Sequence, residues 1–155
     1  IERLATDQKA GSSNLLAHVK RTCRSRSFFH IIKGCGYCAK NGRCHYDDKV
    51  NEFVHIAGKY DGFVFGASVH FASLAASMGA FMDRVFYSDR LSGHDSFYLK
   101  PGAVISTARR AGTTATLDQF NKYLSYAEMP IVSSRYWNMV YGNTPKEVSV
   151  QSDYK

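Results

Sequence analysis

Residues 61–87, DGFVFGASVHFASLAASMGAFMDRVFY, decide the fold. They open with a near-continuous apolar run that Gly66 ends, which is typical of a strand covered on both faces. Apolar side chains then recur at intervals of three and four residues, at Leu74, Met78, Phe81, Met82, Val85 and Phe86. A buried strand followed directly by a helix with one apolar stripe predicts a strand–helix–strand unit.

The same alternation continues along the chain. Further strands are predicted at 27–32 (SFFHII), 101–107 (PGAVIST) and 129–134 (MPIVSS), and further helices at 12–21, 47–60 and 113–127. Strands that alternate with helices of this length predict an α/β fold with a parallel sheet and helices on both faces. The length of 155 residues predicts one domain, residues 1–145, with a polar tail at 146–155.

The loops at the carboxyl ends of the predicted strands are unusual. In sheets of this kind the ligand lies at that edge. Residues 6–14 (TDQKAGSSN), 67–73 (ASVHFAS) and 107–114 (TARRAGTT) each combine small residues with hydroxyls, which lets backbone approach a ligand closely. The first loop offers Lys9 and a helix start to a phosphate. In the third loop, Arg109 and Arg110 suit a developing negative charge, unless they are simply solvated.

These loops and strands carry a family resemblance. The stretches DGFVFGASVHFAS, KPGAVISTARRAGTTATLDQFNKY and MPIVSSRYWNMVYGN resemble the NADPH-dependent FMN reductase family of flavodoxin-like proteins, over about residues 31–143. The resemblance implies bound FMN. It implies that the ribityl chain and the ring are contacted by Ser68, Val69, His70, Phe71, Ala72 and Ser73. The pyrimidine edge would be contacted by Thr107, Ala108, Arg109, Arg110, Ala111 and Gly112. The phosphate would be held by Lys9, Ser12, Ser13 and Asn14.

The resemblance also implies the activity. NADPH or NADH would deliver a hydride to the flavin, and the electrons would pass to a quinone, a free flavin or a similar small acceptor. The chemistry belongs to the cofactor, so we expect no catalytic side chain. The family further implies a homodimer or homotetramer.

The two ends of the chain depart from the family pattern. Residues 1–14 contain no clear apolar strand, and their loop lacks the Pro and Arg that the family usually has there. The stretch after Asn143 does not read as the long final helix. We therefore expect a flavodoxin-like doubly wound parallel sheet in which the first strand and the final helix are missing or degraded.

Three cysteines lie close together in sequence, at Cys35, Cys38 and Cys44. Their spacing, C-x2-C-x5-C, is one thiolate short of the four that a cluster site normally needs. Free thiols are expected, with a zinc site completed by His30 or His45 and a redox disulfide as alternatives. The loop should lie at the rim near the flavin, because it follows a predicted strand.

Composition limits location and partners. The N-terminus does not read as a signal peptide and no apolar run is long enough to span a membrane, so a cytoplasmic protein is expected. The net charge is +7, and residues 8–46 contain no Asp or Glu. That basic stretch leaves a nucleic-acid-binding module as a less favoured alternative. The second alternative is a degenerate or electron-carrying member of the flavodoxin-like proteins without NAD(P)H activity.

Overall fold

The structure is a computed structural model that describes residues 30–151. Its strands are β1 Phe63–His70, β2 Ser73–Leu74, β3 Gly102–Ala108, β4 Ile131–Val132 and β5 Met139–Tyr141. Its helices are α1 Tyr37–Asn41, α2 Lys49–Ala57, α3 Ala76–Leu91, α4 Thr113–Tyr126 and α5 Pro145–Ser149. The predicted helix at 12–21 lies outside the described residues. The mixed α/β class is confirmed.

The sheet is built on the parallel pair of β1 and β3. Their register runs from Phe63 opposite Gly102 to Ser68 opposite Thr107. Strands β4 and β5 pair in parallel with different stretches of the other edge of β3, so they act as one interrupted strand. The predicted strand 129–134 is therefore reduced to two residues. Trp137 lies between β4 and β5.

The core lies on one face of the sheet. Phe63 and Phe65 point from β1 into a buried cluster to which α2, α3 and α4 all contribute. Aromatic rings interlock there, with Phe53 of α2 and Phe81 of α3 meeting edge to face at 5.3 Å between centroids. The helical stripes predicted from the sequence thus meet over one side of β1 and β3.

The opposite face of the sheet is open within residues 30–151. Val64 of β1 is 37% exposed, and Ala103 and Ile105 of β3 are half-buried. Together with Trp137 and Gln151 they line a groove of about 430 Å³. In the described part of the chain the long helices α2, α3 and α4 all pack on the other face. The predicted helix at 12–21 lies outside the described residues, so coverage of both faces of β1 stays a prediction.

The predicted strand at 27–32 is not formed by its described part. Residues 30–32 are irregular, and Ile31 is 69% exposed. The ring of His30 stacks on Tyr46 with 3.8 Å between centroids. This segment therefore packs on the cysteine loop instead of joining a strand ladder, which overrides the β propensity of its apolar residues.

A buried carboxyl group at the end of α3 makes stability depend on pH. Asp89 is 3% exposed, its Oδ2 accepts a hydrogen bond from the backbone N–H of Ser96 at 2.9 Å, and its Oδ1 has no partner within residues 30–151. Burial raises the pKa of Asp89 above its ordinary value of 3.8. The protonated form thus stabilises the fold at acid pH, and that contribution is lost as pH rises through the folded-state pKa.

Asp89→Asn should remove this pH dependence. The difference in the free energy of unfolding, parent minus variant, should be smaller at pH 7 than at pH 4. Urea titrations at both pH values measure this difference. Asp61→Asn, at an exposed position, is the control for loss of one surface charge. A difference that is the same at both pH values would contradict the assignment.

Candidate functional site

The carboxyl ends of β1 and β3 bring two of the three predicted loops together. Ser68 and Thr107 are the last paired residues of the two strands. Beyond them, a Cβ atom placed on Gly112 would lie 2.7 Å from Cα of Ala72 and 2.9 Å from Cγ1 of Val69. The loop after β3 therefore lies directly against the loop after β1, and only a glycine fits between them.

The loop after β1 is a tight hairpin. Strand β2 turns back and pairs antiparallel with the end of β1, with Val69 opposite Leu74 and His70 opposite Ser73. The two connecting residues, Phe71 and Ala72, have φ values of +50° and +56°. Two consecutive positive φ angles define a type I′ turn, which normally requires Asn-Gly or a similar pair. The turn is therefore strained, and it holds the Phe71 side chain fully exposed.

The loop after β3 offers free hydrogen-bond donors. Arg109, Arg110 and Ala111 are exposed, and their backbone N–H groups donate no hydrogen bond within residues 30–151. The two guanidinium groups form no ion pair in that part of the chain either. Three exposed consecutive residues thus offer their amides and two positive charges beside the hairpin, an arrangement that suits an electron-rich ligand edge.

Helix α4 and strand β5 hold this second loop in place. Thr116 Oγ1 donates a hydrogen bond to the carbonyl of Gly112 at 3.0 Å. Thr113, which is buried, places its Oγ1 2.5 Å from the hydroxyl of Tyr141. The sequence placed Thr113 in the hydroxyl-rich loop 107–114 but did not indicate its bond to Tyr141, because the bond joins two elements that are adjacent only in the folded sheet.

The predicted site residues form three sets, of which the structure describes two. Ser68 to Ser73 and Thr107 to Gly112 are brought together at one edge of the sheet. Within the set 68–73, Ser68 Oγ lies 3.1 Å from Nε2 of His70, so both side chains project from the same side of β1. The third set, Lys9, Ser12, Ser13 and Asn14, lies outside the described residues.

Part of the cysteine loop lies away from this edge of the sheet. Helix α1 packs against the far end of α3, where Ser92 Oγ donates to the carbonyl of Cys38 at 3.4 Å and His94 Nε2 lies 3.0 Å from the carbonyl of Gly42. Helix α3 begins beside the hairpin, and its length separates the two places by roughly 20 Å at 1.5 Å per residue. Helix α1 therefore lies away from the edge where the flavin is predicted to bind, and the position of the cysteine loop relative to the flavin stays a prediction.

Arg84 ties the cysteine loop to α3. Its guanidinium donates to Asp48 at 2.7 and 3.0 Å and to Sγ of Cys44 at 3.2 Å, and it lies 5.1 Å from the ring centre of Tyr46. Asp48 in turn caps α2, since its side chain accepts a hydrogen bond from the N–H of Val50. The side chain of Arg84 is 2% exposed. This buried ion pair fixes the loop structurally.

The three thiols form no disulfide, and no three His, Cys, Asp or Glu side chains within residues 30–151 are placed to hold a metal ion. Cys35 is exposed and Cys38 is buried. Burial raises the pKa of the Cys38 thiol, which lowers its thiolate fraction at neutral pH.

Thiol labelling should follow this difference in exposure. A brief pulse of iodoacetamide should modify Cys35 at least about ten times faster than Cys38, because only exposed thiolates react rapidly. Peptide mass mapping after the pulse measures both rates. Equal labelling in the folded protein would show that Cys38 is not buried, whereas equal labelling in urea is expected and serves as the control.

The family model for NADPH-dependent FMN reductase matches residues 11–144, which is most of the chain. The chain belongs to this family. No helix among the described residues is both long and apolar enough to cross a bilayer.

Individual relatives agree with the family assignment. This FMN reductase family member is 26% identical to an iron–sulfur flavoprotein of Methanocaldococcus jannaschii over 113 residues, which cover 72% of this chain and 57% of that protein. The chain thus spans little more than half the length of that relative. A solved structure of the Trp repressor binding protein from Bacillus subtilis superposes with a TM-score of 0.52 at 15% identity, covering 66% of this chain and 65% of the other. These matches confirm the predicted family and the flavodoxin-like fold.

Proposed function

We propose that the chain is an FMN-dependent NAD(P)H oxidoreductase that passes electrons to a quinone, a flavin or a similar small acceptor. Membership of the FMN reductase family supports a flavin-dependent oxidoreductase. The choice of NADPH or NADH and the nature of the acceptor belong to the proposal. A cytoplasmic location fits the free thiols, which persist in a reducing compartment.

One observation carries the proposal: the contact between the hairpin and the loop after β3 at Gly112 and Ala72. The two loops form adjoining walls at the carboxyl edge of the sheet, where α/β proteins bind their ligands. Small residues along both walls, such as Ala72 and Ala111, leave backbone accessible to a flat ring. This composition supports the proposal of a flavin site between the two loops.

Each wall has a distinct role in the proposed complex. The amides of Arg109, Arg110 and Ala111, which are unpaired within residues 30–151, would hold the pyrimidine edge of the ring. The two guanidinium groups would stabilise negative charge there. Ser68 to Ser73 would orient the ring and the ribityl chain. Bound FMN supplies the redox chemistry by taking up a hydride and releasing electrons to the acceptor. No side chain of this protein is required as an acid, base or nucleophile.

The phosphate of FMN would be held by Lys9, Ser12, Ser13 and Asn14. The altered composition of that loop favours a second candidate, a degenerate relative that no longer binds FMN tightly. A flavodoxin-like electron carrier is a third, although its usual acidic character is opposite to the +7 charge here.

We also propose that the protein is a homodimer or homotetramer. The open sheet face with Val64 and Ile105, and the exposed rings of Tyr136 and Trp137, offer apolar surface to a second copy. Light scattering on the purified protein measures the subunit number, and a monomer at all concentrations would contradict this part.

Spectroscopy of the purified protein, mixed with FMN and freed of unbound flavin, tests the function. A reductase should be yellow, lose its visible absorbance when NADPH is added without oxygen, and recover it in air. A protein that is reduced by light but ignores NADPH is a carrier, and one that retains no FMN is the degenerate form. Either of those results would overturn the proposed activity.

A further inference from the structure

Gln119 of α4 is hydrogen-bonded to the hairpin through its whole side-chain amide. Its Oε1 accepts from the backbone N–H of Leu74 at 2.8 Å and from Ser73 Oγ at 3.1 Å, and its Nε2 donates to Ser73 Oγ at 2.9 Å. These bonds join residues 45 and 46 positions apart. Both residues of β2 are therefore attached to the helix that follows β3.

The hairpin needs such an attachment. Its second strand is only two residues long. Its turn holds Phe71 and Ala72 at positive φ, a backbone conformation that is strained for both residues. Backbone strain of this kind persists only where the surroundings determine the conformation. Besides the short ladder with β1, the surroundings of β2 consist mainly of α4, and Gln119 supplies the hydrogen bonds from that helix.

We propose that Gln119 is a positioning residue that holds the β1–β2 hairpin in the conformation that binds FMN. The effect on FMN rests on the function proposed above. Residues 68–73 provide one wall of the proposed site, so the hairpin must adopt one conformation before the ring can bind. When a binding-competent state is populated for only a fraction of the time, the apparent affinity falls by that fraction.

The packing of α4 separates this role from a general structural one. Leu117, Phe120 and Leu124 carry the helix's contribution to the core. Gln119 is only half-buried and lies beside a small surface cavity that Lys122 and Tyr123 also line. Loss of its amide should therefore free the hairpin while the helix and the core remain in place.

FMN titrations of three variants test the inference. Gln119→Ala should raise the Kd for FMN about ten-fold with little change in melting temperature, as expected if the competent state falls to roughly a tenth. Gln119→Glu keeps oxygen acceptors for Leu74 and Ser73 and should stay within about three-fold of the parent. Lys122→Ala, at the same cavity but without a bond to the hairpin, is the control. Equal Kd values for Gln119→Ala and the parent would overturn the inference.

Hydrogen exchange in the FMN-free protein gives an independent answer. The Leu74 amide should exchange faster in Gln119→Ala than in the parent. The increase should be smaller when Ala72→Gly is also present, because glycine removes strain from the turn. Unchanged exchange at Leu74 would also overturn the role of Gln119. If the parent itself does not bind FMN, the proposed function fails, and the exchange measurement still decides whether Gln119 holds the hairpin.

Discussion

Gly112→Ala should weaken FMN binding by about 100-fold, because restoring the binding conformation against about 3 kcal/mol of strain costs two factors of ten at about 1.4 kcal/mol each. The new methyl group would lie 2.7 Å from Cα of Ala72 and 2.9 Å from Cγ1 of Val69, so the two loops must separate. The first of these contacts is to backbone in a turn that is already strained, so the hairpin cannot shift cheaply. The φ of +97° at residue 112 adds strain for any side chain.

Gly93→Ala is the matched control for this experiment. Gly93 also has a positive φ, of +71°, but a Cβ there would meet nothing within 4 Å. The Gly93→Ala variant has the same kind of backbone strain but no steric clash, so it should retain the parent's affinity for FMN. Fluorescence quenching of FMN measures both variants. Tight binding by Gly112→Ala would show that the ring does not depend on the contact between the loops.

Arg84→Ala should reduce the free energy of unfolding by about 3 to 5 kcal/mol, the range for breaking a buried ion pair by removing one partner. The change leaves the carboxylate of Asp48, which is 14% exposed, without its cation, and it releases Cys44 and the ring of Tyr46. The loop at residues 33–47 should loosen as a result. Urea unfolding followed by circular dichroism measures the loss.

An exposed ion pair on the same helix provides the comparison. Arg90 pairs with Asp95 at 2.9 Å, but its side chain is 47% exposed, so Arg90→Ala should cost less than about 1 kcal/mol. If Arg84→Ala does not yield folded protein, Asp48→Asn removes the same ion pair and keeps a side-chain acceptor for the cap of α2. Similar losses for Arg84 and Arg90 variants would show that the buried pair is not important for stability.

Strong local patterns made much of the fold predictable. The apolar runs of β1 and β3 and the stripes of α3 and α4 are found where the sequence placed them, with α3 beginning at Ala76 rather than near residue 73. The helix predicted at 47–60 begins at Lys49, and Asp48 caps it. The meeting of the loops after β1 and β3 also followed from the sequence, because parallel neighbours end at one edge of a sheet.

The features that the sequence did not reveal depend on partners distant along the chain. Nothing in Phe71 and Ala72 signals a type I′ turn, since neither is glycine or asparagine, and the bonds from Gln119 form only in the folded protein. Arg84 lies within an apolar stripe and is buried because Asp48, 36 residues earlier, reaches it. Ile31 and Ile32 looked like strand residues but lack a strand neighbour within the described chain.

An amide chemical-shift titration of isotope-labelled protein with FMN tests whether the loops after β1 and β3 bind the flavin. We expect saturable changes that are largest at residues 68–73 and 107–112, with the amides of Arg109, Arg110 and Ala111 among the most affected. Largest changes on α1 and the cysteine loop instead, or no saturable change at all, would contradict this expectation.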